Sequence, residues 1–264
     1  MPPSVVFVKA SCLSALSGLH RYRDINQEIL NLWHLCDKSN CEAAISRWID
    51  IQQDEPIDEV VKEKFANAVT AGINAVTSVE VAEVLRNTDV AIRDEVQSEI
   101  YKSRGIRDEK AVVDKVECDT HSRITERNVK LYTKDVDWPF EVDFPFIVRV
   151  IGRIDGMNES GEIVEVKNRQ KRFFSTIPLY ERVQVQVYMW MIGARTCQFV
   201  QALDGDTKTE VVEYDENFIK NTVWHALAES MTTLKALISG DNETEQHIFS
   251  GGNVPETYNS LHSC

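Results

Sequence analysis

Apolar residues recur with helical spacing along the first third of the chain. In ASCLSALSGL they stand three and four residues apart, and Gly18 follows them where a helix C-cap is expected. QEILNLWHLCDKS repeats this spacing, and two acidic stretches, CEAAISRWIDIQQ and IDEVVKEKFANAVTAGINAV, continue it with many carboxylates on a solvated face. We therefore predict that residues 1–100 form a helical N-terminal region that packs on the rest of the chain.

The pattern changes near residue 100, where strand-like stretches begin to alternate with helical ones. GIRDEKAVVDKVE predicts a helix, and three strands follow in RNVKLYTKDV, FPFIVRVIGRID and EIVEVKNR. A helix in IPLYERVQVQVYMWMIGA, two more strands and a long final helix complete the order. This order predicts an α/β (α+β) fold with a mixed central β-sheet flanked by helices over residues 101–240, and a polar C-terminal tail over residues 241–264.

The net charge of -13 over 264 residues limits the partners of the protein. It argues against simple electrostatic adhesion to nucleic acid or to anionic membranes, although a local basic groove remains compatible with it. The six cysteines contain no CxxC pair and no zinc-like spacing, so we expect reduced thiols in an intracellular protein, without zinc. No apolar run reaches the length of a membrane span, and the acid-free start loosely resembles a mitochondrial presequence, which is the second interpretation of that segment.

Candidate chemistry is concentrated in GRIDGMNESGEIVEVKNR. Asp155 ends one predicted strand, NESG is a turn, and Glu165 and Lys167 stand two apart on the returning strand, so they share a face. Two converging carboxylates repel each other unless a cation lies between them, and hard oxygen ligands favour Mg²⁺, for which Mn²⁺ can substitute. The backbone carbonyl of Val166 is a further candidate ligand. The alternative interpretation of this charged motif is an ion pair on the exposed face of a strand.

The D-x9-E-x-K pattern resembles the PD-(D/E)XK nuclease superfamily, with Ile154 in place of the proline. Gln184 and Tyr188, four apart on the next helix, resemble the Q-x-x-x-Y motif of RecB-type and phage-type exonucleases. Glu109 follows Gly105 on a helix before the sheet and resembles the extra metal-binding acid of the lambda exonuclease branch. The alternatives are a semi-buried polar pair for the helix residues and a solvent-facing side chain for the glutamate.

The start of the chain, KASCLSALSGLHRYRD, resembles the N-terminal motif of lambda-type viral recombinase exonucleases. The resemblance implies that Ser11 holds a terminal 5' phosphate, with Arg21 and Arg23 adding positive charge, and a plain helix N-cap is the alternative for the serine. A run of four cations from Lys167 to Arg172 continues this basic character at the site. We expect its last three members to bind the nucleic-acid backbone: Arg169, Lys171 and Arg172.

Together these resemblances imply a PD-(D/E)XK, restriction-endonuclease-like core and a lambda-exonuclease-like alkaline nuclease. Such an enzyme hydrolyses linear duplex DNA from the 5' end, in recombination, repair or viral replication, with a single-strand annealing protein as partner and a homo-oligomer as a possible assembly. Only Cys197 and Cys264 follow the Q-x-x-x-Y helix, so we expect no iron-sulfur cluster. The alternatives are a structure-specific or RNA endonuclease with the same metal site, and a catalytically silent nucleic-acid-binding module.

Overall fold

The computed structural model describes residues 4–48, 59–250 and 255, and the described chain has a mixed α/β fold. Seven strands run through it: β1 (Ser4–Lys9), β2 (Tyr132–Asp135), β3 (Phe146–Gly152), β4 (Gly156–Met157), β5 (Ile163–Asn168), β6 (Thr196–Leu203) and β7 (Asp206–Glu213). Helices before β2 are α1 (Leu13–Leu16), α2 (Ile25–Cys36), α3 (Lys38–Trp48), α4 (Glu59–Asn74), α5 (Ser78–Asn87) and α6 (Arg93–Thr120). Helices after β5 are α7 (Leu179–Ile192), α8 (Glu216–Phe218), α9 (His225–Ile238) and α10 (Asn242–Phe249).

The strands form two hydrogen-bonded sheets, where the sequence predicts a single central one. The first has the order β1-β3-β2, with β1 parallel and β2 antiparallel to β3. The second has the order β4-β5-β6-β7, in which only β5 and β6 run parallel, joined through α7 as a crossover helix. The chain passes from one sheet to the other between Gly152 and Gly156, which places Asp155 at the junction.

Strand β5 lies between two helices, and its side chains point alternately toward one and the other. Val164 and Val166 pack with Val113 and Val116 of α6, together with Val200 of β6. The opposite face of the strand meets α7. This arrangement leaves the charged residues of β5 between the sheet and α7, where the site described below lies.

Helices α4, α5 and the first half of α6 enclose a small separate core. Its buried residues include Val81, Leu85, Val96 and Ile100. The close approach of α4 and α6 depends on Gly72, because a Cβ there would lie 2.2 Å from the side chain of Ile100. A substitution at this glycine therefore requires the two helices to separate.

Two segments differ from the predicted organisation. Residues Ser4–Lys9 form a strand of the first sheet, so the region predicted as helical begins with a part of the core. Residues 242–249 form α10, where a polar tail is expected, and buried Glu245 accepts hydrogen bonds from the guanidinium of Arg47 at 2.7 and 2.9 Å. The alternation in SVVFVK fits a strand, while α10 is too short for its apolar residues to repeat. Residues 251–254 and 256–264 of the predicted tail lie outside the described residues.

None of the described helices combines the length and the apolar composition that crossing a membrane requires.

Candidate active site

Glu165 and Lys167 project from the same face of β5 toward α7. The Lys167 ammonium lies 2.7 Å from Oε1 of Glu165 and donates to Oε1 of Gln184 at 3.0 Å. The glutamate is buried, whereas the lysine side chain is 22% exposed. The ammonium thus lies between a carboxylate from the sheet and an amide from the helix.

Asp155 is held beside β5 by a backbone hydrogen bond. Strand β4 pairs with β5 only at Gly156 and Met157, so the N–H of Val166 has no strand partner on that side. Oδ2 of Asp155 accepts this N–H at 2.8 Å. Since the N–H and C=O of one strand residue point to the same side, the Val166 carbonyl faces the aspartate as well.

Helix α7 presents Gln184 and Tyr188 on one face, four residues apart. Nε2 of Gln184 donates to the hydroxyl of Tyr188 at 3.0 Å, so its Oε1 is turned toward Lys167. The Tyr188 ring lies against Gly152, where an added Cβ would stand 2.8 Å from the ring. The glycine at the end of β3 therefore lets the tyrosine support the glutamine.

Glu109 approaches from α6, one turn before Val113, which packs on β5. Its Oε1 accepts a hydrogen bond from Nδ2 of Asn128. The Asn128 side chain also lies near the Asp155 carboxyl, where it opposes the rise that burial causes in the pKa of that carboxyl. Asn128 thus joins the two acids, and the sequence prediction missed it.

The one feature that distinguishes Asn128 is its backbone conformation. The residue has a φ of 51°, in the left-handed region that asparagine tolerates better than most side chains. Its N–H bonds the carbonyl of Ile154 at 3.0 Å, which fixes it next to Asp155. The residues RNV carry no motif that would reveal this contact.

Burial sets the charge state of the three central groups. It raises the pKa of Asp155 to about 6 against the opposing charge of Lys167. It also raises the pKa of Glu165 to about 7, and the neighbouring Asp155 adds to that rise. Burial disfavours the charge of Lys167, but the Glu165 and Asp155 carboxylates outweigh it and raise its pKa. The lysine is therefore a cation at neutral pH, and a hydrogen-bond donor only.

The donor set fits a divalent cation. Oε2 of Glu165 is buried and has no hydrogen-bond partner, which is costly for a carboxylate oxygen unless a cation or a proton meets it. Asp155 and the Val166 carbonyl supply further oxygen atoms, the ligands that Mg²⁺ and Mn²⁺ prefer. In the described part of the chain no three acidic, histidine or cysteine side chains form a ready metal-binding group, so Glu109 does not close a shell with the other two acids.

The predicted basic contacts divide into two kinds. Lys171 and Arg172 are exposed in the loop between β5 and α7. Arg169, by contrast, makes a two-bond ion pair with Glu181 at 2.6 and 2.7 Å, and its side chain is only 9% exposed. Its predicted contact with DNA does not match this position, because the buried glutamate already neutralises the guanidinium.

The N-terminal candidates lie near α7. Ser11 is exposed, in a 3₁₀ turn that makes no side-chain cap, and its neighbour Ala10 packs toward Gly152. Arg23 pairs with buried Glu28, and one of its nitrogens donates to the Ser11 carbonyl at 3.4 Å. The structure thus rules out the simple N-cap for Ser11, and it occupies Arg23 with an internal carboxylate.

No protein-family model matches this chain, and no curated protein matches it. Among solved structures, it is similar to an alkaline exonuclease (LHK-Exo) from Laribacter hongkongensis, with 19% identity and a TM-score of 0.40 over 71% of this chain and 99% of the other. The same exonuclease in complex with dAMP gives 16% identity and a TM-score of 0.33 over 72% and 97%. The structure of SSO0001 gives 16% and 0.37 over 70% and 88%.

An alkaline exonuclease, the kind of protein that the sequence motifs resemble, is thus among the structures to which the chain is similar. Likeness at these values does not carry a function from one protein to another. The function has to follow from the side chains of the site.

Proposed function

We propose that this protein is a metal-dependent nuclease that hydrolyses phosphodiester bonds, acting as a 5'-to-3' exonuclease on linear duplex DNA. The observation that supports it most is the contact of one lysine ammonium with a buried strand glutamate and a helix glutamine, beside Asp155. Polarity and duplex preference come from the motif resemblance. Lys167 acts on the phosphate, held by Glu165 and Gln184, and Tyr188 supports the glutamine.

Asp155, Glu165 and the Val166 carbonyl would hold Mg²⁺ or Mn²⁺. Glu109, which accepts a hydrogen bond from Asn128, is the further proposed ligand. These oxygen atoms would hold a cation whose chemistry would be to polarise the scissile phosphate and to lower the pKa of a bound water. The orphaned Oε2 of Glu165 is the atom that most needs this cation.

Lys167 stabilises charge and accepts no proton. Because its pKa is raised, it stays an ammonium while negative charge grows on the phosphate oxygens. Gln184 fixes its direction at 3.0 Å, and Glu165 holds it from the other side. A water oxygen loses a proton to solvent and bonds to phosphorus, and the bond from phosphorus to the 3' oxygen breaks. The 3' oxygen takes up a proton from solvent, so the cut leaves a 3' hydroxyl on one side and a 5' phosphate on the other.

Substrate backbone would be held by exposed cations around the opening. Lys171 and Arg172 are exposed in the loop that follows β5, and Ser11 and Arg21 are exposed in the N-terminal segment. Their positions allow local attraction of phosphates despite a net charge of -13. A single-strand annealing protein and a homo-oligomer remain the proposed partners.

The test compares linear 5'-phosphorylated duplex DNA with closed circular DNA in Mg²⁺, using wild type and Lys167→Ala. The control is Lys220→Ala, which removes an exposed lysine that also pairs with a glutamate, at 2.6 Å from Glu216. We expect wild type and the control to degrade only the linear DNA, and Lys167→Ala to lose this activity while its circular dichroism spectrum shows that it is still folded.

Other outcomes separate the alternatives. Cutting of the circle indicates an endonuclease. If wild type cleaves neither linear nor circular DNA in Mg²⁺ or in Mn²⁺, but does cleave RNA, the protein is a ribonuclease. Binding without any cleavage indicates a silent nucleic-acid-binding module, and equal activity of Lys167→Ala and wild type contradicts the proposed site.

A further inference from the structure

Three aromatic side chains from two distant segments meet on the surface beside α7. His20 and Tyr22 belong to the loop between α1 and α2, and Tyr180 belongs to the first turn of α7. The ring centroids of His20 and Tyr180 are 4.6 Å apart, and Tyr22 lies edge-on to Tyr180 at 6.2 Å. We call these three residues the aromatic cluster.

The aromatic cluster adjoins the active site along one helix face. Tyr180 stands four residues before Gln184, so the two side chains share a face, one turn or about 5.4 Å apart. Gln184 accepts its hydrogen bond from Lys167 at 3.0 Å. Burial and Glu181 raise the pKa of Tyr180, while Arg169 and Lys167 oppose that rise, which agrees with a position close to the catalytic lysine.

The aromatic cluster is also open to solvent. Tyr22 is 72% exposed, and Tyr180 is partly exposed. The guanidinium of Arg21 lies 5.4 Å from the centroid of the Tyr22 ring, which puts a cation at the edge of the cluster. An exposed ring grouped with two partly exposed rings and a cation differs from the scattered apolar residues of an ordinary surface.

We propose that the aromatic cluster binds a nucleobase of the strand whose phosphate lies at Lys167, by stacking on the exposed ring of Tyr22, which Tyr180 supports edge-on. This inference rests on the proposed function and adds the place where a base is held. Tyr180 lies one helical turn from Gln184, which contacts the lysine, so a nucleotide whose phosphate lies at Lys167 has the rings nearby. Every base has a π-face, so stacking tolerates any sequence, as removal of successive nucleotides requires.

The test measures binding of a fluorescent single-stranded oligonucleotide by anisotropy, in EDTA so that no cleavage occurs. The same oligonucleotide with abasic residues throughout serves as the second probe. We expect Tyr180→Ala and Tyr22→Ala each to weaken binding of the intact probe about tenfold. Tyr180→Phe keeps the ring and should bind like wild type, and all proteins should bind the abasic probe equally weakly.

Leu179→Ala is the matched control. Leu179 is 46% exposed and precedes Tyr180 on α7, so the control removes a neighbouring apolar side chain without a ring. Equal binding by Tyr180→Ala, Tyr22→Ala and this control overturns the stacking site. If Tyr180→Ala lowers the melting temperature, Tyr22→Ala decides, because its ring is mostly solvent-exposed.

Failure of the stacking site differs from failure of the proposed function. A wild-type protein that cleaves DNA, with tyrosine variants that bind normally, overturns only the stacking site. A wild-type protein that neither binds nor cleaves any nucleic acid overturns both.

Discussion

Replacing Arg169 with methionine should destabilise the protein without removing a contact to DNA. The guanidinium makes two short hydrogen bonds to Glu181, and the two side chains are 9% and 8% exposed. Nε also donates to the buried Gln201 at 2.9 Å. The substitution leaves the Glu181 carboxylate in a dry environment without its cation.

The expected magnitude follows from that burial. Breaking a buried ion pair by removing one partner costs about 3–5 kcal/mol. An unfolding entropy of about 2.1 cal/mol/K per residue turns this into a fall in Tm of roughly 5–9 °C for a chain of 264 residues. Replacing Glu181 with leucine in the same protein removes the orphaned charge, so the double variant should regain most of the loss.

Two measurements separate stability from binding. Thermal unfolding gives the Tm of Arg169→Met, of the double variant and of Lys171→Ala, whose side chain is exposed nearby. The salt dependence of DNA binding then counts phosphate contacts, since each lost contact reduces the slope by about 1. We expect a reduced slope for Lys171→Ala and an unchanged slope for Arg169→Met.

The opposite pattern would refute this account. An unchanged Tm for Arg169→Met together with a reduced salt slope would show that the guanidinium meets phosphate and that its ion pair contributes nothing. The run of cations from Lys167 to Arg172 would then act as one basic surface, as the sequence alone suggests.

Three further predictions concern the centre of the site. The folded-state pKa values of Asp155 and Glu165, about 6 and about 7, exceed their ordinary values of 3.8 and 4.5, so their stabilising contribution is complete below about pH 4 and is lost as the pH rises through 7. The Tm of the metal-free protein should therefore fall as the pH rises from 4 to 7, and it should fall less in Glu165→Gln. Stabilisation by added Mn²⁺ should grow with pH, because metal binding releases protons. Parallel curves of Tm against pH for wild type and Glu165→Gln would contradict this. Gly152→Ala should lower the cleavage rate at nearly constant DNA affinity. Its Cβ would lie 2.8 Å from the Tyr188 ring, and the displaced ring would move Gln184 with it. An unchanged rate would show that the position of the ring is not needed for cleavage. Asn128→Ala should weaken Mn²⁺ binding about tenfold in calorimetry, since it frees both acids, and equal affinity would show that it only closes a loop.

The main contacts of the site follow from spacing in the sequence. The alternation of a strand predicts that Glu165 and Lys167 share a face, and the four-residue spacing on a helix predicts the same of Gln184 and Tyr188. The turn at NESG predicts a hairpin after Asp155. These are local rules, and the structure places all five side chains accordingly.

What the sequence hides depends on tertiary contacts. A cation run looks uniform in the sequence, but Glu181, twelve residues later, separates Arg169 from the exposed Lys171. Asn128 meets Glu109 across 19 residues of sequence, from a backbone in the left-handed conformation. The split of the sheet also escapes prediction, since FPFIVRVIGRID keeps its strand pattern through the residues where pairing stops.

The parallel pairing of β1 with β3 has a consequence for the order of folding. Ser4 is registered with Phe146, so this strand closes a loop of about 140 residues. At about 5–20 residues per second, a ribosome adds that stretch in roughly 7–30 s, during which SVVFVK has no strand to join. Helices α4 to α6 make contacts that are closer in sequence and can associate earlier. We therefore expect pulse-labelled hydrogen exchange to show amides of α6 protected before those of β1, so that the part of the core translated first is among the last to be fixed.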